Sequence, residues 1–433
     1  MNVSNLLSPT AQATLLLTSH FSKVNREAAK PLTNAEWERF ALWLKEKSIT
    51  PADLLANDSI ALLQGWHDAR ISVERISELL GRGHSLALAM EKWQRAGLWV
   101  ITRSDPEYPR RLKQRLRTAS PPVLFGCGNK ALLNAGGLAV IGSRNASQLD
   151  LDFTDQIGAK AASEGITIVS GGARGVDETA MLSALKQGGA VIGVMADSLL
   201  KAATSSKWRK GLMDGHAVLV SPFYPEAGFN VGNAMARNKY IYCLADSSLV
   251  IHSGKKGGTI NGAEENLKKA WVPLWVKQTN DKDAANADLV AKGGRWLEAN
   301  IRTFNIRDLI NDESVRTNQV GDQIEDLFSS PTQSELFAEP EPNLTLGFTP
   351  EKDSGQEINE PAVSADAIDF YQLFVSELQH LAKKPVTVDE LIEKTDLHKT
   401  QINAWLKRAV NEGVVQKLHR PVRYQAVSLN ADR

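Results

Sequence analysis

The chain predicts an α/β protein: an extended Rossmann-like, doubly wound parallel sheet, preceded by a helical domain and followed by a winged helix-turn-helix. Three observations carry this. Short apolar runs alternate with helix-like stretches from about residue 98 to residue 312. Two of these runs end in glycine-bearing turns that also hold an arginine. The final segment reads as helices closed by a β-hairpin.

Residues 1–97 form the predicted helical domain. Thr33-Asn34-Ala35-Glu36 is a capping-box pattern, and Trp37, Phe40, Ala41 and Leu44 follow at helical spacing. Further helices are expected over Ser59–Trp66, Val73–Leu80 and Leu86–Ala96. Gly81-Arg82-Gly83 is a turn between two of them, read either as a plain helix–helix turn or as a clamp on a DNA backbone.

Residues 98–312 form the predicted Rossmann-like domain. Gly137–Ile141 leads into Gly142-Ser143-Arg144-Asn145-Ala146-Ser147, with a helix expected from about Leu151 to Glu164. Thr167-Ile168-Val169 leads into Ser170-Gly171-Gly172-Ala173-Arg174-Gly175-Val176-Asp177, and the next helix opens with acidic residues. Glycines at a strand-to-helix junction let backbone N–H groups converge on an anion at a helix N-terminus. Arg144 and Arg174 add guanidinium donors for the same anion. The alternative is a tight turn that spares a Cβ clash. Two such turns in successive βα units lie at one edge of a parallel sheet, where open α/β folds bind ligands. Neither reads G-x-G-x-x-G, so no dinucleotide cofactor is expected, and polyanion binding is the favoured class. Later strands are expected at Ala190–Ala196, Ala217–Phe223, Ser248–Ser253 and Val272–Val276.

Residues 313–366 are expected to be an acidic flexible linker. From Gly321 to Asp366 the only basic residue is Lys352, among Pro331, Pro340, Pro342, Pro350 and Pro361. Ile324, Leu327 and Phe328, and Leu336 with Phe337, are either linker residues or partner-docking motifs.

Residues 367–433 form the predicted winged helix. Phe370–Ala382 is amphipathic, and Thr387-Val388-Asp389-Glu390 is a second capping box. A third helix from about His398 to Glu412 places Ile402, Trp405, Leu406, Ala409 and Val410 on one face, and Gly413 ends it. Val414–Leu418 and Val422–Val427 then read as a hairpin. The outer face of the third helix would carry Lys399, Thr400, Asn403 and Lys407, and the wing Lys417, Arg420 and Arg423. Those residues suit phosphate and groove contacts with duplex DNA, while protein docking stays open for the same module.

Composition sets bounds on function. The 433 residues hold 50 lysines and arginines against 50 aspartates and glutamates, so any nucleic-acid site must be local. Cys127 and Cys243 have no metal-ligand spacing, which argues against a disulfide scaffold or a zinc site and fits a reducing cytoplasm. No leader-like or membrane-spanning run occurs, so a soluble cytoplasmic protein is expected. The eight histidines are scattered, and neither a G-x-S-x-G elbow nor a P-loop lysine is present. No catalytic residue, metal or cofactor is expected, and the protein is expected not to be an enzyme.

From about Ala96 to Val276 the chain resembles the DNA-processing protein A (DprA/Smf) family. The likeness rests on Gly97–Ile101 with Asp105-Pro106-Glu107-Tyr108-Pro109, on Pro121–Phe125 with Gly128-Asn129, and on the two glycine turns. It extends to Arg237-Asn238-Lys239 and Gly257-Gly258-Thr259-Ile260-Asn261-Gly262-Ala263. The resemblance implies a pocket for single-stranded DNA phosphates lined by Ser143, Arg144, Gly171, Gly172, Arg174, Gly175, Arg237, Lys239, Gly258 and Thr259. It further implies homodimerisation and delivery of a RecA-type recombinase. Met181 stands where relatives carry His, Leu199–Arg209 lacks the family's Tyr-Pro and Asn, and Gly262 replaces a Thr. Such a divergent member also fits a second function: an antitoxin or sensor in a phage-defence or toxin–antitoxin module, paired with a cognate toxin. A phosphoribohydrolase is disfavoured, because Gly262 stands three residues after Thr259 where that chemistry needs Glu.

Overall fold

The computed structural model describes residues 7–22, 29–56, 59–298, 300–301, 303–311, 370–395, 402, 405–406, 408–410, 412–418 and 423–426. The chain divides into two compact units, Met1–Ala338 and Glu339–Arg433. The expected linker over 313–366, with its two apolar motifs, lies outside the described residues.

The first unit opens with α1 (Pro9–Thr18), α2 (Asn34–Glu46), α3 (Ser59–Leu62), α4 (Val73–Leu80) and α5 (Gly83–Arg95). The helix expected over Ser59–Trp66 is only the short α3, because the chain turns so that the Trp66 indole donates to Ile71 O at 2.7 Å. Thr33 and Glu36 cap α2 reciprocally, as the capping-box pattern predicts. The Gly81–Gly83 segment is a helix–helix turn, and Arg82 points inward. Its guanidinium donates to the carbonyls of Leu16 and Ser19 and stacks 4.7 Å from the centre of the Phe21 ring.

The sheet follows, with strands and helices alternating as the periodicity predicts. They are β1 (Leu98–Thr102), α6 (Arg110–Leu116), β2 (Val123–Gly128), β3 (Leu138–Ile141), α7 (Gln148–Ser163), β4 (Ile168–Ser170), α8 (Val176–Lys186) and β5 (Val191–Val194). Then come α9 (Leu199–Ala203), α10 (Ser206–Met213), β6 (Ala217–Ser221), α11 (Val231–Leu244), β7 (Ser247–Val250) and α12 (Gly258–Lys269). The last elements are β8 (Leu274–Lys277), α13 (Asn286–Ala291), β9 (Arg295–Leu297) and α14 (Ile306–Ile310).

The strand order is β1-β2-β6-β5-β4-β3-β7-β8-β9. From β6 to β9 every pairing is parallel. The expected all-parallel sheet is extended at one edge by an antiparallel strand, β2, which runs against both β1 and β6. Periodicity cannot see this reversal, since strand direction is a property of pairing.

Core strands such as Leu138–Ile141 and Ala217–Ser221 are buried throughout, the signature of a sheet covered on both faces. On one face α7 and α8 pack with Trp93 of α5, Leu15 and Leu16 of α1, and Trp208 of α10. On the other lie Tyr108 and Leu112, the Tyr240–Leu244 end of α11, and Ile260 and Ala263 of α12. Met181 sits fully buried in the first of these cores. Among the described residues no helix is long and apolar enough to cross a membrane.

The second unit holds α15 (Phe370–Leu381), α16 (Val388–Thr395), β10 (Val415–Leu418) and β11 (Arg423–Ala426). Described positions 402, 405–406 and 408–410 are helical, and Ile402, Leu406 and Ala409 are fully buried with Phe374 and Leu391. The hairpin pairs Lys417 with Tyr424 and Leu418 with Arg423, and Val386 bridges back to Tyr424.

One ion pair gives the helical region a pH signature. Arg75 grips Glu36 through both guanidinium arms, at 2.9 and 3.2 Å, and holds its carboxyl down from the ordinary 4.5 to about 2. A depressed carboxyl pKa supplies stability that is complete above the unfolded value and lost as pH falls through the folded one. Glu36→Gln should therefore be less stable than the parent at neutral pH. In urea melts across pH, the difference should close between 4.5 and about 2.

Candidate nucleic-acid interface

The site is built at the carboxyl edge of the sheet, where β3 lies between β4 and β7 and the strand order reverses direction. After β3 the chain turns through Gly142 and Ser143, whose N–H donates to His252 O at 2.9 Å and so ties the turn to the end of β7. The Ser143 hydroxyl accepts from the Asn145 N–H at 3.1 Å. Arg144 is exposed, its guanidinium 5.0 Å above the Phe229 ring. After β4 the second turn runs from Gly171 to Gly175, with exposed Arg174 beside the start of α8.

The two turns touch. Gly175 caps α8 with φ +92°, and a Cβ there would stand 2.7 Å from Ser143 O and 2.9 Å from Arg144 O. Only glycine fits. Gly171 is required for a different reason: a Cβ would fall 1.2 Å from Nη1 of Arg237.

Arg237 comes from the first half of α11 and is 4% exposed; Asp177, in the first turn of α8, is 5% exposed. They face each other at 3.8 Å, a pair beyond hydrogen-bond length. The backbone amides of Gly142, Gly171 and Ala173 surround the Asp177 carboxylate, so one carboxylate stands between both turns. Burial pushes its pKa up, against the pull of Arg237 and those amides, and burial likewise pushes the Arg237 pKa down. Nε and Nη1 of Arg237 have no hydrogen-bond partner.

Two hollows open around this pair and share Arg144, Ala173, Phe229 and Arg237 as a common wall. The first, about 390 Å³, is lined by Gly171–Arg174, by Met195–Asp197 at the end of β5, and by the shared wall. The second, about 350 Å³, adds Gly142, Ser143, Asn238 and Lys256–Thr259. Gly258 and Thr259 open α12, whose first amides have no partner within the helix. Asn238 donates from Nδ2 to Gly258 O at 2.9 Å and fastens α11 to that helix start. Phe229, Val231 and Met235, 54, 63 and 43% exposed, form an apolar rim.

Of the residues expected in the pocket, the structure brings together Ser143, Arg144, Gly171, Gly172, Arg174, Arg237, Gly258 and Thr259. Gly175 lies just beneath, as the cap that lets the turns meet. Lys239 lines neither hollow, and its amine sits 5.1 Å from the Tyr240 ring. Residues two apart on a helix point about 200° apart, so α11 cannot aim both Arg237 and Lys239 inward. Sequence reasoning missed Lys256, although the Lys255-Lys256 pair beside Gly257 was a usable signal. It also missed Phe229, for which no local signal exists. In the second unit Lys417 and Arg423 are exposed on the hairpin, while Lys399, Thr400, Asn403, Lys407 and Arg420 lie outside the described residues.

Fold and site together define a doubly wound α/β protein with an arginine-lined concavity at its switch point. Residues 99–305 match the family model of DNA recombination-mediator protein A, and this region of the chain is a domain of the DprA/Smf family. Protein Smf of Synechocystis is 25% identical over 248 residues, 53% of this chain and 61% of the relative. DNA processing protein DprA of Bacillus subtilis is 26% identical over 186 residues, 42% of this chain and 62% of the relative. The chain thus spans less than two thirds of the length of these curated relatives. The X-ray structure of DNA processing protein A from Streptococcus pneumoniae shares the fold, with a TM-score of 0.51 at 19% identity, covering 67% of this chain and 95% of that one.

Contact between the two turns gives a direct test. Gly175→Ala should cost about 1–3 kcal/mol, the usual penalty for a side chain in a glycine-only backbone region. Urea denaturation should show the loss as a lower midpoint at unchanged slope.

Proposed function

We propose that this chain is a non-catalytic DNA-processing protein that holds the backbone of single-stranded DNA in the two hollows. The observation that carries this reading is Arg237. Its guanidinium lines both hollows, and its paired carboxylate, Asp177, stands 3.8 Å away, beyond hydrogen-bond length, so a phosphate in either hollow would meet a cation that is only partly answered. Arg144, Arg174 and Lys256 supply further counter-charge, outnumbering Asp177 and Asp197 in the same walls. The apolar rim of Phe229, Val231 and Met235 offers unpaired bases a surface beside the phosphate donors. Backbone contacts of this kind bind without reading sequence, which is what a mediator of recombination needs.

A binding role is also supported at the position where a phosphoribohydrolase keeps its acid. Gly262 packs there against Asn238 and Tyr242, and Glu264 turns away to pair with Lys292. In this reading two copies align their hollows along one strand and pass it to a RecA-type recombinase. The second unit acts as a winged helix that contacts duplex or a protein partner through Lys417, Arg423 and their neighbours.

The test is a fluorescence-anisotropy titration with oligo-dT and a matched duplex across a salt series. Binding should favour the single strand. Arg144→Ala and Arg174→Ala should each lower the slope of log K against log salt by about 0.7, the increment of one single-strand phosphate contact. Unchanged slopes in both variants would remove the hollows from the reading. Binding to duplex alone would favour the antitoxin or sensor function.

A further inference from the structure

The hollows employ Arg144, Arg174, Arg237 and Lys256 but leave a second group of cations beside them unexplained. These stand on α9 and α10, which lead away from the end of β5.

Two anchors fix how α10 is turned. The Trp208 indole is buried and lies under the glycine turn, where a Cβ on Gly172 would approach its ring to 3.7 Å. One turn later Gly211 closes against Leu185 at the end of α8. With Trp208 and Gly211 inward, the helical repeat of 100° per residue places Ser206, Arg209, Lys210 and Met213 outward. All four are exposed, Met213 to 76%. On the flank, Lys207 reaches Glu178 in the first turn of α8 at 2.8 Å. The start of α10 is therefore tied to the turn that carries Arg174. At a rise of about 1.5 Å per residue, Arg209 and Lys210 follow within one helical turn of that tie. The wall of the first hollow ends in Met195–Asp197, from which the chain leads through α9 to α10.

Lys201, Arg209 and Lys210 make no ion pair among the described residues. This is notable in a chain with as many acids as bases. Arg209 and Lys210, on a helix whose start is tied through Lys207 to Glu178 of α8, present a polyanion with further complementary charge.

We propose that the outward face of α10 is a second stretch of the DNA track, holding backbone phosphates of the strand beyond the nucleotides seated in the hollows. The proposal rests on the reading of the hollows as a single-strand site. Long, flexible cations on an exposed helix suit phosphates and carry no base readout, so the extension adds affinity and length dependence without sequence preference.

The experiment compares oligo-dT of about 4 and about 16 nucleotides, the span of known single-strand sites, on the full chain and on the Arg209→Glu/Lys210→Glu variant. Both substituted side chains are solvent-exposed, and circular dichroism checks the fold. The variant should lose about tenfold in affinity for the longer strand, and its salt slope should fall by about 1.4, two single-strand contacts. The short strand should bind as before. Equal binding of both lengths by the parent, or an unchanged salt slope for the longer strand in the variant, overturns the track and leaves the hollows standing if Arg174→Ala still weakens both lengths. Loss confined to duplex or to an acidic protein overturns it in favour of that partner. A parent that binds neither length overturns the reading of the hollows and the track with it.

Discussion

The buried pair of Asp177 and Arg237 is the constraint on which the site depends. Asp177 lies among the amides of Gly142, Gly171 and Ala173 and so stands between two glycine turns from different βα units. Arg237 lies across the second turn in a space that any side chain at position 171 would fill. Two nitrogens of the guanidinium have no hydrogen-bond partner. The pair therefore leaves an unanswered positive group at the wall shared by both hollows. A buried ion pair is weak support for stability, since desolvation consumes much of the attraction. Here its consequence is positional: the charge stands ready for an anion before one arrives.

That arrangement recasts the role of the glycines. They let two turns and one arginine occupy a volume that side chains would otherwise claim. The anion is left to side chains, to Arg144 above the Phe229 ring, to Arg174 and Lys256, and to the free amide end of α12. Asn238 completes the frame by fastening α11 to α12. Loops from β3, β4, β5 and β7 thus contribute to one concavity, as the reversal of strand order beside β3 requires.

The helices outside the sheet have supporting work. Arg115 donates to the carbonyls of Cys243 and Ala245 and closes the far end of α11, the helix that aims Arg237. Arg111 pairs with Asp246 just beyond, at the start of β7. Leu15, Leu16 and Trp93 from α1 and α5 share a core with α7 and α8. The helical region is built into the same body as the sheet, through contacts that no local pattern announces.

Much of the fold was legible in the sequence because period and turn chemistry are local. Alternating apolar runs located the strands from β3 to β8, and the boxes at Thr33 and Thr387 located helix starts, since capping is settled within four residues. The glycine turns with Arg144 and Arg174 were legible for the same reason: a strand, a Cβ-free turn and a helix lie in one stretch of chain. Tertiary structure alone decided the rest. The reversed direction of β2 depends on pairing between distant segments, and the partner of Arg237 is a carboxylate sixty positions upstream. That Arg237 enters the hollows while Lys239 leaves them follows from the rotation of α11, which its packing against the sheet determines. The sequence by itself determined which residues can bind an anion; the packed structure decided which of them share one cavity, because that depends on how helices are turned against the sheet.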